Sequence, residues 1–537
     1  MILTVIRRLR NGILGSGRIV HRDRVVVIGA GVGGLVSAAL LAARGFDVTV
    51  VEKADAPGGK MREVAIGETR QDAGPTVFTM RPILEDIFAK AGTLLSAHLT
   101  LRPCETLARH AWNADERLDL FADIDRSADA IGSFAGAAEA DGYRRFCADA
   151  GRIFRTLDAP FMQAASPGFG TMISIAGVGG MLDLLRTRPF TTLWSALGGY
   201  FRDPRLRQLF GRYSTYCGSD PFRATATLML VAHVEQEGVW LVEGGMHRVA
   251  RALETVATGH GARFRYGVAA DAVMVEGGRV AGVRLADGDV LPAGQVVVNA
   301  DVGALAVGRL GPAVTRAVPP VPPKARSLSA LTWSLLAETD GFPLLRHTVF
   351  FSDDYAAEFR DIFDHGRLPA NPTVYICAHD RGDREPAGPI GAECLLCLVN
   401  APATGDGHTF PAEEIERCAN RTFALLDRCG LRVRRAPDRT VVTTPTDFDR
   451  MFPATGGALY GRASHGWRAS FQRPPGRTRI PGLYLAGGSA HPGPGVPMAA
   501  LSGRLAVECL LADLGDRSLD STVPSRATAM PGGMSTP

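Results

Sequence analysis

Two β-branched runs, Arg24-Val-Val-Val-Ile28 and Asp47-Val-Thr-Val-Val51, flank an Ala/Leu-rich stretch at 35–44 that stops at Gly45. This pattern predicts a buried strand, a helix and a second buried strand. Further along, 249–256 reads as a helix and 262–266 as a strand, while 272–275 and 279–285 alternate as half-buried strands and Val296-Val-Val298 closes the block. Residues 73–234 carry mixed helical periodicity and several aromatics. The Pro-rich run 318–323 is a rigid connector. Beyond it, apolar runs at 328–336, 347–352, 373–377 and 394–399 predict an antiparallel sheet, 499–514 a helix, and the Ser/Pro/Gly-rich residues after 516 a disordered tail.

The 537 residues give room for about three domains, sequential or interleaved. Hydrophobic residues at 46% against 21% charged exclude disorder, collagen and coiled coil for the whole chain. The first 24 residues hold six Arg against one Asp, which leaves the body almost neutral, so no nucleic-acid-binding face is expected. That basic extension, 1–23, is expected to be uncleaved, either a membrane-contacting amphipathic segment or a disordered one. The 24-residue stretch 159–182 is uncharged, but Pro167 and five glycines break it, which argues against a spanning helix and leaves an apolar surface that dips into one leaflet. Nine scattered Cys fit a reducing cytoplasm. Cys394 and Cys397 lack a second pair at zinc spacing and read as buried strand thiols, so no metal site is expected.

Between the first strand and helix lies Gly29-Ala-Gly-Val-Gly-Gly34. With 62 glycines in the chain a G-x-G-x-x-G arises by chance about once, so the glycines alone prove nothing. The context discriminates: a strand before, a helix after, and Glu52 at the end of the second strand are what a dinucleotide requires. Gly29 allows the tight turn, Gly31 the approach of a pyrophosphate, Gly34 close packing of helix on sheet, and Glu52 accepts from ribose hydroxyls. An acid at 52 disfavours a 2′-phosphate.

The residues that follow, Lys53-Ala-Asp-Ala-Pro-Gly58-Gly59-Lys60-Met-Arg62, place a second glycine pair beyond the ribose-binding acid. This resembles the extended motif of the superfamily of amine oxidases, protoporphyrinogen oxidases and phytoene desaturases. The resemblance implies FAD, with Lys53, Gly58, Gly59, Lys60 and Arg62 along it and the Asp72-Ala-Gly-Pro-Thr76 turn near the isoalloxazine. Leu485-Ala-Gly487-Gly488 through Pro497-Met498 implies close approach of Gly487 and Gly488 to FAD and a helix N-terminus, at Pro497 and Met498, aimed at the flavin's pyrimidine edge. The implied fold is α/β: a discontinuous Rossmann-like FAD-binding domain with an inserted α+β substrate domain, of amine-oxidase and GDI-like architecture. The corresponding division is FAD domain at 24–105, 236–305 and 441–515, a substrate and membrane-contact insertion at 106–235, and a substrate sheet at 306–440.

Within that superfamily the phrases at 347–355 and 375–381, with the glycine motifs above, resemble the carotenoid-desaturase branch, and the segments 72–81 and 456–467 resemble most nearly its members that desaturate hydroxyneurosporene or methoxyneurosporene. The implied activity is formation of a C=C bond in an acyclic C40 carotenoid, at the 3,4 position. Its implied partners are an electron acceptor, oxygen or quinone, and a peripheral contact with the inner membrane from the cytoplasm. Asp141-Gly-Tyr-Arg144 resembles a family segment from which acid/base participants are drawn, and His491 precedes Pro492 beside the expected flavin, so Asp141, Arg144 and His491 are the expected catalytic groups, each weighed against an ordinary solvated or backbone-bonded role. No G-x-S-x-G or H-E-x-x-H occurs, consistent with chemistry carried by a cofactor. The competing readings are a phytoene desaturase, a redox-neutral carotene isomerase, an amine oxidase, and a flavin-free carrier of prenylated GTPases.

Overall fold

The computed structural model describes residues 23–165, 184–384 and 389–515. The expected N-terminal extension, most of 159–182 and the tail after 515 lie outside the described residues. A five-stranded parallel sheet runs in the order Arg263–Arg265, Asp47–Val51, Arg24–Ile28, Gln295–Val298, Leu483–Leu485. Its strands come from three distant parts of the chain, so the nucleotide-binding fold is discontinuous, as expected. The helix Val32–Ala43 is buried on nearly all sides. Its Ala- and Leu-rich sequence suits that position, between the sheet and the helices His247–Gly259 and Val496–Asp513.

The second sheet has eight strands in the order Arg432–Arg434, Ser329–Asp340, Glu393–Ala401, Val374–Ala378, His347–Phe350, Thr106–Ala111, Arg117–Phe121, with Thr440–Thr443 also paired to Ser329–Asp340. It is antiparallel except where His347–Phe350 meets Thr106–Ala111. The expected strands form its centre, and two strands from 106–121, a region expected to belong to an insertion, extend it.

Strand periodicity gives this sheet two different faces. Leu331, Trp333, Leu335, Val374, Ile376, Leu395, Cys397 and Val399 join one apolar core with the helix Ala412–Arg428. Each fully buried Leu or Ile there is worth about 1.5–3 kcal/mol relative to exposure. Their alternates Thr332, Thr373, Tyr375, Leu396, Leu398 and Asn400 face the other way, into a cavity. Cys394 and Cys397 are buried thiols of this sheet, without a disulfide.

Candidate active site

A cavity of about 720 Å³ runs from the carboxyl ends of the parallel strands to the floor provided by the eight-stranded sheet. Its nucleotide half is lined by Gly29, Gly31, Glu52, Lys53, Gly58, Gly59, Lys60, Asn299, Gly487 and Gly488. Position 34 admits only glycine: a Cβ there would stand 2.1 Å from the Gly29 carbonyl oxygen. Gly58, at φ +120°, brings its loop against the first turn, donating its N–H to the Ala30 carbonyl and forming a bridge with Gly31. Glu52 closes the far side, its carboxylate accepting from the N–H groups of Ala30 at 2.7 Å and Ala54 at 2.9 Å.

Asn299 follows the strand Gln295–Val298 and donates through Nδ2 to the Ala486 carbonyl at 2.9 Å, while its buried Oδ1 has no partner. A glycine cradle that any Cβ would fill, a carboxylate at the ribose position and an unsatisfied amide oxygen on the groove fit a dinucleotide. Gly495, Val496, Pro497 and Met498 line the same cavity, so the helix Val496–Asp513 turns its positive end toward it. Lys60 donates to the Leu459 carbonyl at 2.6 Å and lies 5.3 Å from the Phe452 ring centroid. Burial holds its ammonium pKa below the ordinary value, against the nearby carboxylate of Asp301.

The other half of the cavity is mostly apolar, with Val77, Met80, Met162, Leu230, Val231 and Val234 on its wall. Against the sheet floor it carries a polar group. Tyr375 Oη lies 2.7 Å from Thr76 Oγ1 and 2.7 Å from His347 Nδ1. Arg212 sits 5.5 Å from the ring centroids of both Tyr216 and Tyr375. Glu235 accepts from Tyr213 Oη at 2.8 Å and Tyr216 Oη at 2.5 Å. Burial raises its carboxyl pKa, and the two tyrosine hydroxyls pull it back down. Burial likewise pushes the Glu358 carboxyl up to about 7, despite hydrogen bonds from Thr373 and Asn400. The His347 imidazole is pulled down to about 3, first by burial and then by the charges of Arg346, His379 and Arg212, so it is neutral at ordinary pH.

Among the residues singled out from sequence, Pro497 and Met498 line the cavity with the groove residues above, and Gly34 packs directly behind them. Arg62 does not line it: its guanidinium donates to Thr443 Oγ1 at 3.0 Å and lies over the Phe448 ring, in the wall behind the groove. His491 is buried behind the strand-to-helix turn, edge-on to Phe161 with ring centroids 5.1 Å apart, and burial lowers its pKa to about 4. Asp141 and Arg144 lie on the solvent face of the helix Ala137–Leu157, where Arg144 pairs with Asp125, Asp129 and Asp141. None of these three expected catalytic groups is on the cavity wall.

Arg212, Glu235, Tyr355 and Asn299 were not singled out by sequence reasoning. Asn299 carries a usable signal, because it ends a β-branched strand, where ligands of parallel sheets bind. Arg473 was also missed; it donates to the carbonyls of Gly488, Tyr460 and Arg462 and so clamps the glycine turn.

A glycine-cradled groove at the ends of a discontinuous parallel sheet, opening into a pocket floored by an antiparallel sheet, defines a dinucleotide-binding protein with a second, largely apolar ligand pocket. Residues 32–511 match the model of the flavin containing amine oxidoreductase family, and the chain belongs to that family. It is a flavin-dependent oxidoreductase with FAD as its cofactor. The chain is 54% identical over 514 residues to the hydroxyneurosporene desaturase of Rubrivivax gelatinosus, covering 96% of this chain and 97% of that one. It is 46% identical to the hydroxyneurosporene desaturase of Cereibacter sphaeroides, covering 92% and 99%. An oxidoreductase from Methanosarcina mazei shares the fold at a TM-score of 0.56 and 17% identity, covering 89% of this chain and 98% of that one.

Proposed function

We propose that the protein is an FAD-dependent desaturase that introduces a C=C bond into an acyclic carotenoid, at the 3,4 position of hydroxyneurosporene or methoxyneurosporene. The observation that carries this reading is the single cavity joining the dinucleotide groove to a largely apolar pocket, together with 54% identity to a desaturase of that name. FAD, when bound, supplies the acceptor for a hydride from one carbon, while a proton leaves its neighbour. The chain's own residues would bind and orient: Gly29, Gly31, Gly58, Gly59, Gly487 and Gly488 would let the backbone reach the cofactor, and Glu52 would hold the ribose. Lys53 and Lys60, whose ammonium groups donate to the carbonyls of Arg450 and Leu459, would lie along the cofactor. Met80, Met162, Leu230 and Val234 exclude water from the polyene. The carboxylate on the wall of this pocket, Glu235, is engaged by two tyrosine hydroxyls.

A polyene hydrocarbon reaches such a pocket from a bilayer, and we infer a peripheral contact on the cytoplasmic face of the inner membrane. What supports it is an exposed aromatic pair, Phe190 at 70% and Trp467 at 38% exposure, with ring centroids 5.7 Å apart and with Arg468 over the Trp467 ring. No helix among the described residues is long and apolar enough to cross a membrane. Oxygen or a quinone completes the cycle as electron acceptor, and the domain division given above is the one we adopt.

The test is an assay in liposomes with added FAD and hydroxyneurosporene, methoxyneurosporene or phytoene, under air and with quinone under nitrogen. A red shift of one conjugated double bond with the neurosporene derivatives is the expected result; conversion of phytoene alone moves the enzyme to the head of the pathway.

A further inference from the structure

The pocket described above would suit a hydrocarbon better without its polar group. Arg212 brings a guanidinium with five donors to the cavity wall, and among the described residues it forms no ion pair with a carboxylate. It lies over the ring of Tyr216, whose hydroxyl is itself committed to Glu235. Tyr355, 7% exposed, lines the same cavity within electrostatic reach of Arg212, and its hydroxyl has no partner. On the sheet floor Thr332, 2% exposed, also has an unpartnered hydroxyl. Both residues line the cavity. Thr332 pairs with Leu398, which sets it diagonal to Asn400, whose Nδ2 is taken by Glu358.

Unpaired buried hydroxyls and a cation on an apolar wall are costly unless something fills them. Phe or Val at 355 and 332 would preserve the shape without that cost. We infer that Arg212, Tyr355 and Thr332 form a subsite for the oxygen of the carotenoid end group, a hydroxyl or methoxyl, and that this subsite selects oxygenated neurosporenes over the bare hydrocarbon. The inference rests on the substrate reading proposed above and adds the residues that read the oxygen.

Location supports it. Arg212 stacks on Tyr375, whose hydroxyl meets Thr76 of the turn expected beside the flavin ring. An oxygen at the chain end is only a few bonds from C3 and C4, so a group held at Arg212 brings the reacting carbons toward that turn. A methoxyl accepts but cannot donate, and Arg212 and Tyr355 are both donors, so one site serves both end groups. Glu235 and Glu358, held by their own donors, keep the region from being purely cationic.

The test uses the FAD-loaded full chain in liposomes. The ratio of kcat/KM for hydroxyneurosporene to that for neurosporene is measured in wild type, Tyr355→Phe, Thr332→Val and Arg212→Met, and binding of each carotenoid is followed by its absorption shift. The two isosteric variants retain FAD and thermal midpoint, and each lowers the ratio about tenfold, with Arg212→Met lowering it further. An unchanged ratio in Tyr355→Phe and Thr332→Val, with wild type still converting hydroxyneurosporene, overturns the subsite and leaves the substrate reading intact. A wild-type enzyme that acts only on carotenoids without oxygen overturns both. Loss of FAD in Arg212→Met alone leaves the decision to the isosteric pair.

Discussion

Tyr375 Oη and Thr76 Oγ1 meet at 2.7 Å although 299 residues separate them in the chain. This contact pins the floor of the pocket to the turn after Asp72, whose carboxylate accepts from the N–H groups of Met246 and His247 and so ties the turn to the nucleotide-binding half. Tyr375→Phe removes it together with the contact to His347. The expected loss is about 1–2 kcal/mol of stability, at roughly 1 kcal/mol per hydrogen bond, with a lower kcat and little change in FAD affinity. Urea denaturation, flavin titration and steady-state rates check the three parts.

The cradle predicts a sharp difference between two glycine substitutions. In Gly34→Ala the new methyl meets a backbone oxygen at 2.1 Å, whereas in Gly31→Ala it meets the movable Asn299 Oδ1 at 2.6 Å. Gly34→Ala is expected to purify with less than about a tenth of the normal flavin or not to fold. Gly31→Ala is expected to bind FAD more weakly and to regain part of its affinity when combined with Asn299→Ala. Flavin absorbance per chain decides.

Acid sensitivity follows from buried imidazoles. Burial first of all holds His110 and His347 near 3 and His379, His465 and His491 near 4, all below the 6.5 of a free imidazole. The unfolded chain therefore takes up these protons first, and stability falls as pH drops from about 6.5 toward 4. Glu358, near 7 when folded and 4.5 when free, works the other way: the folded state takes its proton first, which offsets part of the loss between pH 7 and 4.5. Glu358→Gln is expected to steepen the acid limb, by about 2 kcal/mol at pH 5 as an order of magnitude. Denaturation midpoints from pH 8 to 4 are the measurement, and a parallel fall in wild type and variant would refute the linkage.

Membrane contact through the exposed aromatic pair is tested by Phe190→Ser with Trp467→Ser. The double variant is expected to co-sediment with anionic liposomes at least roughly tenfold less, while retaining FAD, since each aromatic contributes a few kcal/mol of burial at most. Unchanged sedimentation places the contact elsewhere.

The strands 24–28, 47–51 and 279–285 have the bounds the sequence pattern predicts, the first two because each is a β-branched run closed by Gly or Glu, the third because its alternation stops at the Asp287-Gly288 turn. Helices were legible in their middles and less so at their starts. The first begins at Val32 rather than 35, since glycines that read as loop form its opening turn. The nucleotide groove was legible because its residues are local in sequence. The polar corner was not, because Arg212 lies on a 3₁₀ turn, Glu235 on a short helix and Tyr355 at the start of a five-residue helix, none with a periodic signature. Asp141 and Arg144 could have been set aside from periodicity alone: Ala140, Tyr143, Cys147, Ala150 and Phe154 form the buried stripe of their helix, and the two charges fall one step off it.

The parallel sheet begins with Arg24 and is completed only by Leu483–Leu485, the strand that pairs with Gln295–Val298. During synthesis the strand Gln295–Val298 therefore keeps one β-branched edge unpaired until nearly the entire chain has left the ribosome. Such an ordering is slow and leaves the nascent polypeptide prone to aggregation. Production of the enzyme then depends on chaperone supply and on translation speed as much as on the stability of the finished fold.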